Sequence, residues 1–237
     1  MNAQQLSERL KRVAAFVPEG AVLADIGSDH AYLPCYLALK GVIKGAIAGE
    51  VVRGPYDSAK KQVRQEGLED IIEVRLASGL AAIRQTDGVT AITIAGMGGP
   101  LITSILEEGK VKLEGVERLI LQANVHGKSI REWAAANQWA IFEEEILKEN
   151  DKIYEIIVLE PASSPVKYSE EELLMGPILM AEKSSVFIDK WSRESSQWKR
   201  ILVSMEATEQ TLQILAKKKE LVDKIHLVEE VLHVENT

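Results

Sequence analysis

The feature that most constrains this chain is a change of hydrophobic period along its length. Up to about residue 140, short apolar runs rich in β-branched residues alternate with stretches that are apolar at helical spacing. The strand-like runs are Ala21–Ile26, Gly45–Gly49, Ile71–Leu76, Thr90–Ala95 and Arg118–Gln122. Helical patterns at Ala31–Lys40, Pro55–Gln65, Pro100–Glu108 and Ser129–Asn137 separate most of them. Another helix is expected over Ser7–Val17, and a short helical turn around Gly79–Ile83. Such alternation predicts a parallel sheet covered by helices on both faces. Then it breaks. Ala140–Leu147 and Ile153–Glu160 both read as strands, with only Lys148-Glu149-Asn150-Asp151-Lys152 between them. A helical crossover does not fit in that connection, so an antiparallel hairpin is predicted.

Glycine usage marks a second division. Fifteen of the sixteen glycines precede residue 150, and beyond Pro177 there is neither Gly nor Pro. The run Glu160-Pro161-Ala162-Ser163-Ser164-Pro165 interrupts regular structure, which places two domains at 1–162 and 163–237. Trp191, Trp198, Met205 and Leu212 are seven apart, with Ile201, Leu215 and Val222 near the complementary positions. Glu194 and Thr208 spoil the second seam, so an irregular helical hairpin or a coiled-coil-like pair is expected, turning near Ser204–Thr208.

Composition excludes several classes. An apolar fraction of 46% suffices for a buried core, which argues against disorder. A single cysteine rules out an internal disulfide and a multi-cysteine zinc site, and His126, His226 and His233 lack ligand spacing, so no metal is expected. Gly88–Leu106 is uncharged over about the length of a membrane span, but Gly96, Gly98, Gly99 and Pro100 interrupt it. No leader-like segment opens the chain, and a cytoplasmic protein with no membrane partner is expected. The formal charge of −8 argues against broad polyanion binding but allows a local basic patch. Monomer and weak dimer both remain open.

In such a sheet a nucleotide-like ligand sits beyond the carboxyl ends of the strands. The first strand runs into Asp25-Ile26-Gly27-Ser28-Asp29-His30. Gly27 lets the backbone approach a ligand, and Asp25 can hold loop amides or accept from an ammonium. The further glycines of G-x-G-x-x-G are missing, so nothing cradles a pyrophosphate. A sulfonium-bearing nucleoside such as S-adenosylmethionine suits carboxylates at Asp25 and Asp29 better. Glu50, with Val51 after it, ends the second strand where an acidic residue can accept from both ribose hydroxyls. Ser78-Gly79-Leu80 follows the third strand, where Ser78 can bond an adenine amine and Leu80 can pack on its ring. Ala95-Gly96-Met97-Gly98-Gly99 follows the fourth, leaving room for a planar base and carbonyls for its exocyclic amine; Gln122-Ala123-Asn124 closes the fifth. The bland alternatives are a helix cap at Asp29, a surface glutamate at 50 and a plain strand-to-helix turn at 96–100.

An α/β sheet closing on a hairpin resembles the Rossmann-like class I methyltransferases. More specifically, Gly27-Ser28-Asp29-His30-Ala31-Tyr32-Leu33-Pro34, Gly49-Glu50-Val51, Ile94-Ala95-Gly96-Met97-Gly98-Gly99, Leu121-Gln122-Ala123-Asn124 and Tyr154-Glu155-Ile156-Ile157 together resemble the bacterial tRNA (adenine 22-N1)-methyltransferases. That resemblance runs from about Leu6 to the final helix, and it implies a methyltransferase domain joined to a C-terminal α-helical coiled-coil domain. Two positions depart from the family pattern. Ser78-Gly79-Leu80 stands where the family favours D-G-L, and Ala123 replaces the proline of Q-P-N.

The resemblance implies methyl transfer from S-adenosylmethionine to N1 of an adenine in tRNA. Since N1 already carries an in-plane lone pair, geometry and water exclusion matter more than a strong base. Tyr32 is the aromatic expected to stack on the base, Asp29 the carboxylate beside the charge that develops, and His30 a residue to orient the base or carry a proton. Cationic candidates for tRNA are Arg9, Lys11 and Arg12 on the first helix, Arg53, Lys60, Lys61 and Arg64 after the second strand, and Lys128 and Arg131. Methylation of another RNA, a protein or a small molecule, or a non-catalytic interaction module, are the competing functions.

Overall fold

The computed structural model describes residues 2–206 and 211–233. The chain divides into two units, Met1–Val166 and Lys167–Thr237. In the first, helix α1 (Glu8–Ala15) precedes β1 (Ala21–Ile26), α2 (Tyr32–Leu39), β2 (Ile43–Glu50), α3 (Arg53–Gln65) and β3 (Ile72–Leu76). Short 3-10 turns at Gly79–Ala82 and Gln85–Asp87 lead to β4 (Ala91–Met97), α4 (Gly99–Glu108), β5 (Arg118–Ala123), α5 (Gly127–Ala136), β6 (Trp139–Glu149) and β7 (Lys152–Pro161). These boundaries lie within about three residues of those expected from the sequence. Ser7 starts α1 by accepting from the Leu10 amide, a cap that satisfies one of the helix's unpaired first-turn donors.

The sheet order is β3-β2-β1-β4-β5-β7-β6. Five strands run parallel, and β7 lies antiparallel to both β5 and β6. The hairpin turns on Asn150 and Asp151, both at positive φ, the geometry of a tight two-residue turn. That lets β6 and β7 run closer to the turn than their apolar residues reach. Alternate residues feed opposite faces, as strand geometry requires: Ile120, Ile156 and Val158 join one core with α1, α2 and α3, while Leu119, Leu121, Ile157 and Leu159 join the other with α4 and α5.

One expectation is overturned between α5 and the hairpin. Arg131 is no surface cation: it is fully buried, with Nε 2.7 Å from Glu144 Oε1 and Nη2 3.0 Å from Glu155 Oε2. Its place on the inner face of α5, beside Ile130 and Ala134, puts it against these two carboxylates. Gly127 leaves them space, since a Cβ there would lie 2.3 Å from Glu155 Oε2.

The second unit is helical: α6 (Glu170–Met175), α7 (Pro177–Glu182), α8 (Ser185–Glu206) and α9 (Leu212–His233). Phe187 and Trp191 are buried on α8, and Leu221, Ile225 and Val228 on α9. Lys199 of α8 pairs with Glu229 of α9 at 2.5 Å. Leu212, Leu215 and Val222 are exposed instead of forming a seam, because the heptad phase of α8 does not carry into a separate helix. Of the expected turn, Ser204 lies within α8, and 207 and 208 fall outside the described residues. Among the described residues no helix is long and apolar enough to cross a membrane, and Gly88–Leu106 resolves into β4, a loop and α4.

Candidate functional site

The strand order reverses between β1 and β4, which both leave the middle of the sheet in the same direction. Above their carboxyl ends lies the crevice where ligands of such sheets bind. The loop after β1 is built tightly. The Gly27 and Ser28 amides donate to the Gly49 carbonyl at 2.9 and 3.2 Å, which ties the loop to β2. Gly27 takes φ +72, and Asp29, His30 and Ala31 follow at +39, +68 and +55. Left-handed conformations at non-glycine residues cost on the order of 1 kcal/mol or more each, and they cluster where function over-determines the backbone.

Two carboxylates hold this loop. Asp25 is buried; its Oδ2 accepts from Ser28 Oγ and its Oδ1 from Thr93 Oγ1, both at 2.6 Å. Burial pushes its carboxyl up to about 6, against the lowering pull of those two hydroxyls and with a further raising push from Glu50. Glu50, also buried, accepts from the Asp29 amide. Burial raises its carboxyl above the usual range, with the Asp29 amide opposing. Neither carboxylate has a cation within ion-pair distance among the described residues, whereas exposed Asp29 lies 3.5 Å from His30 Nε2. His30 stacks on Tyr32 with ring centroids 5.2 Å apart and planes within 13°, so one face of Tyr32 is already covered.

The rest of the rim follows from β2, β3 and β4. Val51 and Ser78 are exposed at the strand ends. Gly79 has φ +50, and Leu80 turns down into the core, tight against Gly109. Met97 reaches across to Gly27, where a Cβ would lie 2.4 Å from its Cε. Gly99 is small for a reason other than room for a base: a Cβ there would lie 2.0 Å from the His126 carbonyl oxygen. Gly98 stays more open, with Val125 nearby. Of the α1 cations, Lys11 faces Glu8 at 3.6 Å, Arg12 pairs with Glu8 and Glu145, and Arg9 donates to Gln122 while lying 5.3 Å from the centre of the Tyr154 ring. Thr93 and Gln122 had no role assigned from sequence. Their signal was a polar residue inside an apolar, buried strand, which needs a partner.

The acceptor set suits a cationic nucleoside. Two buried carboxylates without counter-ions repel a pyrophosphate and favour a sulfonium or an ammonium. With a sheet that ends on a reversed hairpin, this defines a class I S-adenosylmethionine-dependent methyltransferase. Comparison with known proteins narrows the class. A family profile described as tRNA (adenine(22)-N(1))-methyltransferase matches residues 23–230, and the chain belongs to that family. A Bacillus subtilis (strain 168) protein of the same description is 48% identical over 98% of this chain and 99% of its own. A Streptococcus pneumoniae structure solved with S-adenosyl-L-methionine superposes with a TM-score of 0.87 at 48% identity, covering 97% of this chain and all of that one. The M. capricolum structure with S-adenosyl-homocysteine gives a TM-score of 0.83 at 28% identity, covering 95% and 96%.

Proposed function

We infer that this chain transfers a methyl group from S-adenosylmethionine to N1 of adenine 22 in tRNA. The observation that carries the reading is the pair Asp25 and Glu50, buried and without counter-ions at the crevice floor, in a chain of this family. Bound S-adenosylmethionine supplies an electrophilic methyl on its sulfonium. The N1 lone pair forms the new N–C bond, the S–C bond breaks with its electrons retained on sulfur, and no proton need leave. The protein's work is therefore positioning, which can contribute up to about 7–11 kcal/mol.

In this reading Gly27 and Ser28 bring the backbone to the ligand, and Asp25 holds their loop while supplying negative charge. Glu50 accepts from the ribose hydroxyls, and Val51, Ser78 and Gly79 border the adenine, with Leu80 supporting them from the core. Ala95, Gly96 and Met97 form the wall beside the methyl. Asp29, His30 and Tyr32 line the side from which the target base enters. Freeing a base from folded tRNA costs on the order of a few kcal/mol, and stacking on the His30–Tyr32 pair recovers ~1–3 kcal/mol of that. Residues 1–162 are the catalytic domain in this reading, and α6 to α9 belong to a helical domain at 163–237.

For the tRNA backbone, α3 is the stronger candidate: Arg53 pairs with Asp57 and Arg64 with Glu69, but Lys60 and Lys61 have no carboxylate partner among the described residues, whereas Lys11 and Arg12 of α1 both do. Arg53, Tyr56, Lys60 and Arg64 recur at steps of three and four residues along its length, a spacing that gathers them on one face, with Lys61 beside it. Arg53 and Lys60 approach the Tyr56 ring to 5.4 and 5.5 Å. Cations interleaved with an aromatic form a surface for phosphate and base together.

The test is methylation of an unmodified tRNA transcript, followed by nucleoside mass spectrometry. N1-methyladenosine must form, and it must vanish when adenine 22 is replaced by guanine. Methyl incorporation that persists in that variant would sink the assignment.

A further inference from the structure

Strands β4 and β5 pair in register as far as Ala95 with Gln122, then slip, so that Met97 lies opposite Ala123. Gly96 is the extra residue, at φ +82. Such a bulge takes one residue out of the ladder, and its amide and carbonyl need other partners. Two side chains of β5 and its loop provide them. Gln122 Oε1 accepts from the Gly96 amide at 2.9 Å, and Asn124 Nδ2 donates to the Gly96 carbonyl at 2.7 Å. Gln122 Nε2 donates to Asn124 Oδ1 at 3.2 Å, and Gln122 Oε1 also accepts from Arg9 Nη1. Gln122 is fully buried; Asn124 is exposed.

A carboxamide is nearly symmetric in shape, so its orientation is set by its partners. Here both ends of the chain of bonds demand the same answer. A guanidinium and a backbone N–H can only donate, so the Gln122 atom between them is oxygen. Its nitrogen then faces Asn124, which must answer with oxygen. The far end of Asn124 is therefore nitrogen, and it meets a carbonyl that can only accept.

We propose that Arg9 and Gln122 are positioning residues that fix Asn124 as a hydrogen-bond donor at the mouth of the crevice. Asn124 Nδ2 keeps a second proton beyond the one given to Gly96. Resting on adenine N1 as the target, that proton goes to another ring nitrogen of the base. Adenine has three in-plane lone pairs, at N1, N3 and N7. Hydrogen bonding to one of the others occupies that lone pair and sets the rotation of the ring, so that N1 faces the methyl group.

Gln122→Glu tests this because it keeps the shape and adds an ion pair with Arg9. Glutamate still accepts from Arg9 and from the Gly96 amide, but it cannot donate to Asn124. The Asn124 amide must then turn over, which sets its oxygen against the Gly96 carbonyl. The expected result is an unchanged or higher melting temperature, S-adenosylmethionine affinity within twofold of wild type, and kcat on tRNA at least tenfold lower. Asn124→Ala, an exposed change with little risk to folding, should cost a similar factor. The double variant should be no worse than either single one, because both break the same relay. A kcat within twofold of wild type for Gln122→Glu, or fully multiplicative losses in the double variant, would overturn the relay. Wild type run alongside separates the two readings: if it binds S-adenosylmethionine but leaves adenine N1 unmethylated, the adenine N1 assignment fails, and the relay's role with it.

Discussion

Two sets of buried charged side chains lie in the first unit, and they are built in opposite ways. Between α5 and the β6–β7 hairpin, the Arg131 guanidinium meets the carboxylates of Glu144 and Glu155. At the carboxyl ends of β1 and β2, Asp25 and Glu50 are equally sheltered, but they are held by two hydroxyls and an amide. Burial accordingly drives both of these carboxyls upward, Asp25 to about 6. A buried charge without a partner is costly, and a fold alone would gain by pairing or removing it. Charge left uncompensated marks the place where a ligand supplies the counter-charge; charge fully paired marks architecture.

The largest effect should come from breaking the paired set. Arg131→Met leaves two carboxylates buried without their cation, and losing one member of a buried pair costs about 3–5 kcal/mol. Chemical denaturation should show that loss, while the folded fraction binds S-adenosylmethionine as wild type does. A loss below about 1 kcal/mol would mean water reaches the cluster and the two sets are less different than they look.

Asp25→Asn should act with the opposite sign. The folded-state pKa of Asp25 lies above its ordinary value of 3.8, at about 6, so the folded protein holds this proton more tightly than the unfolded chain. Its cost to stability is therefore fully present above pH 6 and is relieved as pH falls from about 6 toward 3.8. By linkage that cost is on the order of 3 kcal/mol. The variant should melt higher than wild type at pH 8, and the gap should close near pH 4. Calorimetry at pH 8 should also show at least tenfold weaker S-adenosylmethionine binding. Equal stability at both pH values would show that Asp25 titrates normally.

Much of this contrast is legible in the sequence. The alternation of periods predicts the parallel strands, and the short Lys148–Lys152 link predicts the reversed hairpin, because both are local properties of the chain. The acidic residues closing β1 and β2 stand out for the same reason. Partnerships across long sequence separations were not legible: Arg9 to Gln122, Thr93 to Asp25, and Arg131 to Glu144 and Glu155. Arg131 in a helix reads as a solvated cation until the hairpin is folded against it. Leu80 and Gly99 likewise read as ligand-facing from their position after a strand, and only packing shows that one fills the core and the other makes way for the β5–α5 loop.

Glu50→Gln sharpens the comparison at its other carboxylate. The Asp29 amide can still be satisfied by the glutamine oxygen, so the loop should survive. A charged acceptor for the ribose hydroxyls is lost, however, and hydrogen bonds to charged groups contribute about 1.5–3 kcal/mol. Cofactor affinity should fall by roughly ten- to a hundredfold, with tRNA affinity unchanged in a gel-shift assay. A loss of both would point to collapse of the strained loop instead of a missing contact.

The same contrast recurs on the surface, with smaller energies. On α1, Lys11 and Arg12 share Glu8, and Arg12 also reaches Glu145. On α3, Arg53 pairs with Asp57 and Arg64 with Glu69, but Lys60 and Lys61 have no carboxylate partner among the described residues. If unbalanced charge again marks the ligand's side, removing Lys60 and Lys61 together should lower the slope of log affinity for tRNA against log salt by about 1–2, since each phosphate contact contributes roughly 0.7–0.9. Removing Lys11 and Arg12 should change that slope by less than half as much, because exposed cations already paired to carboxylates release few counter-ions on binding. A larger slope change from α1 than from α3 would reverse the assignment and place the tRNA backbone along the first helix.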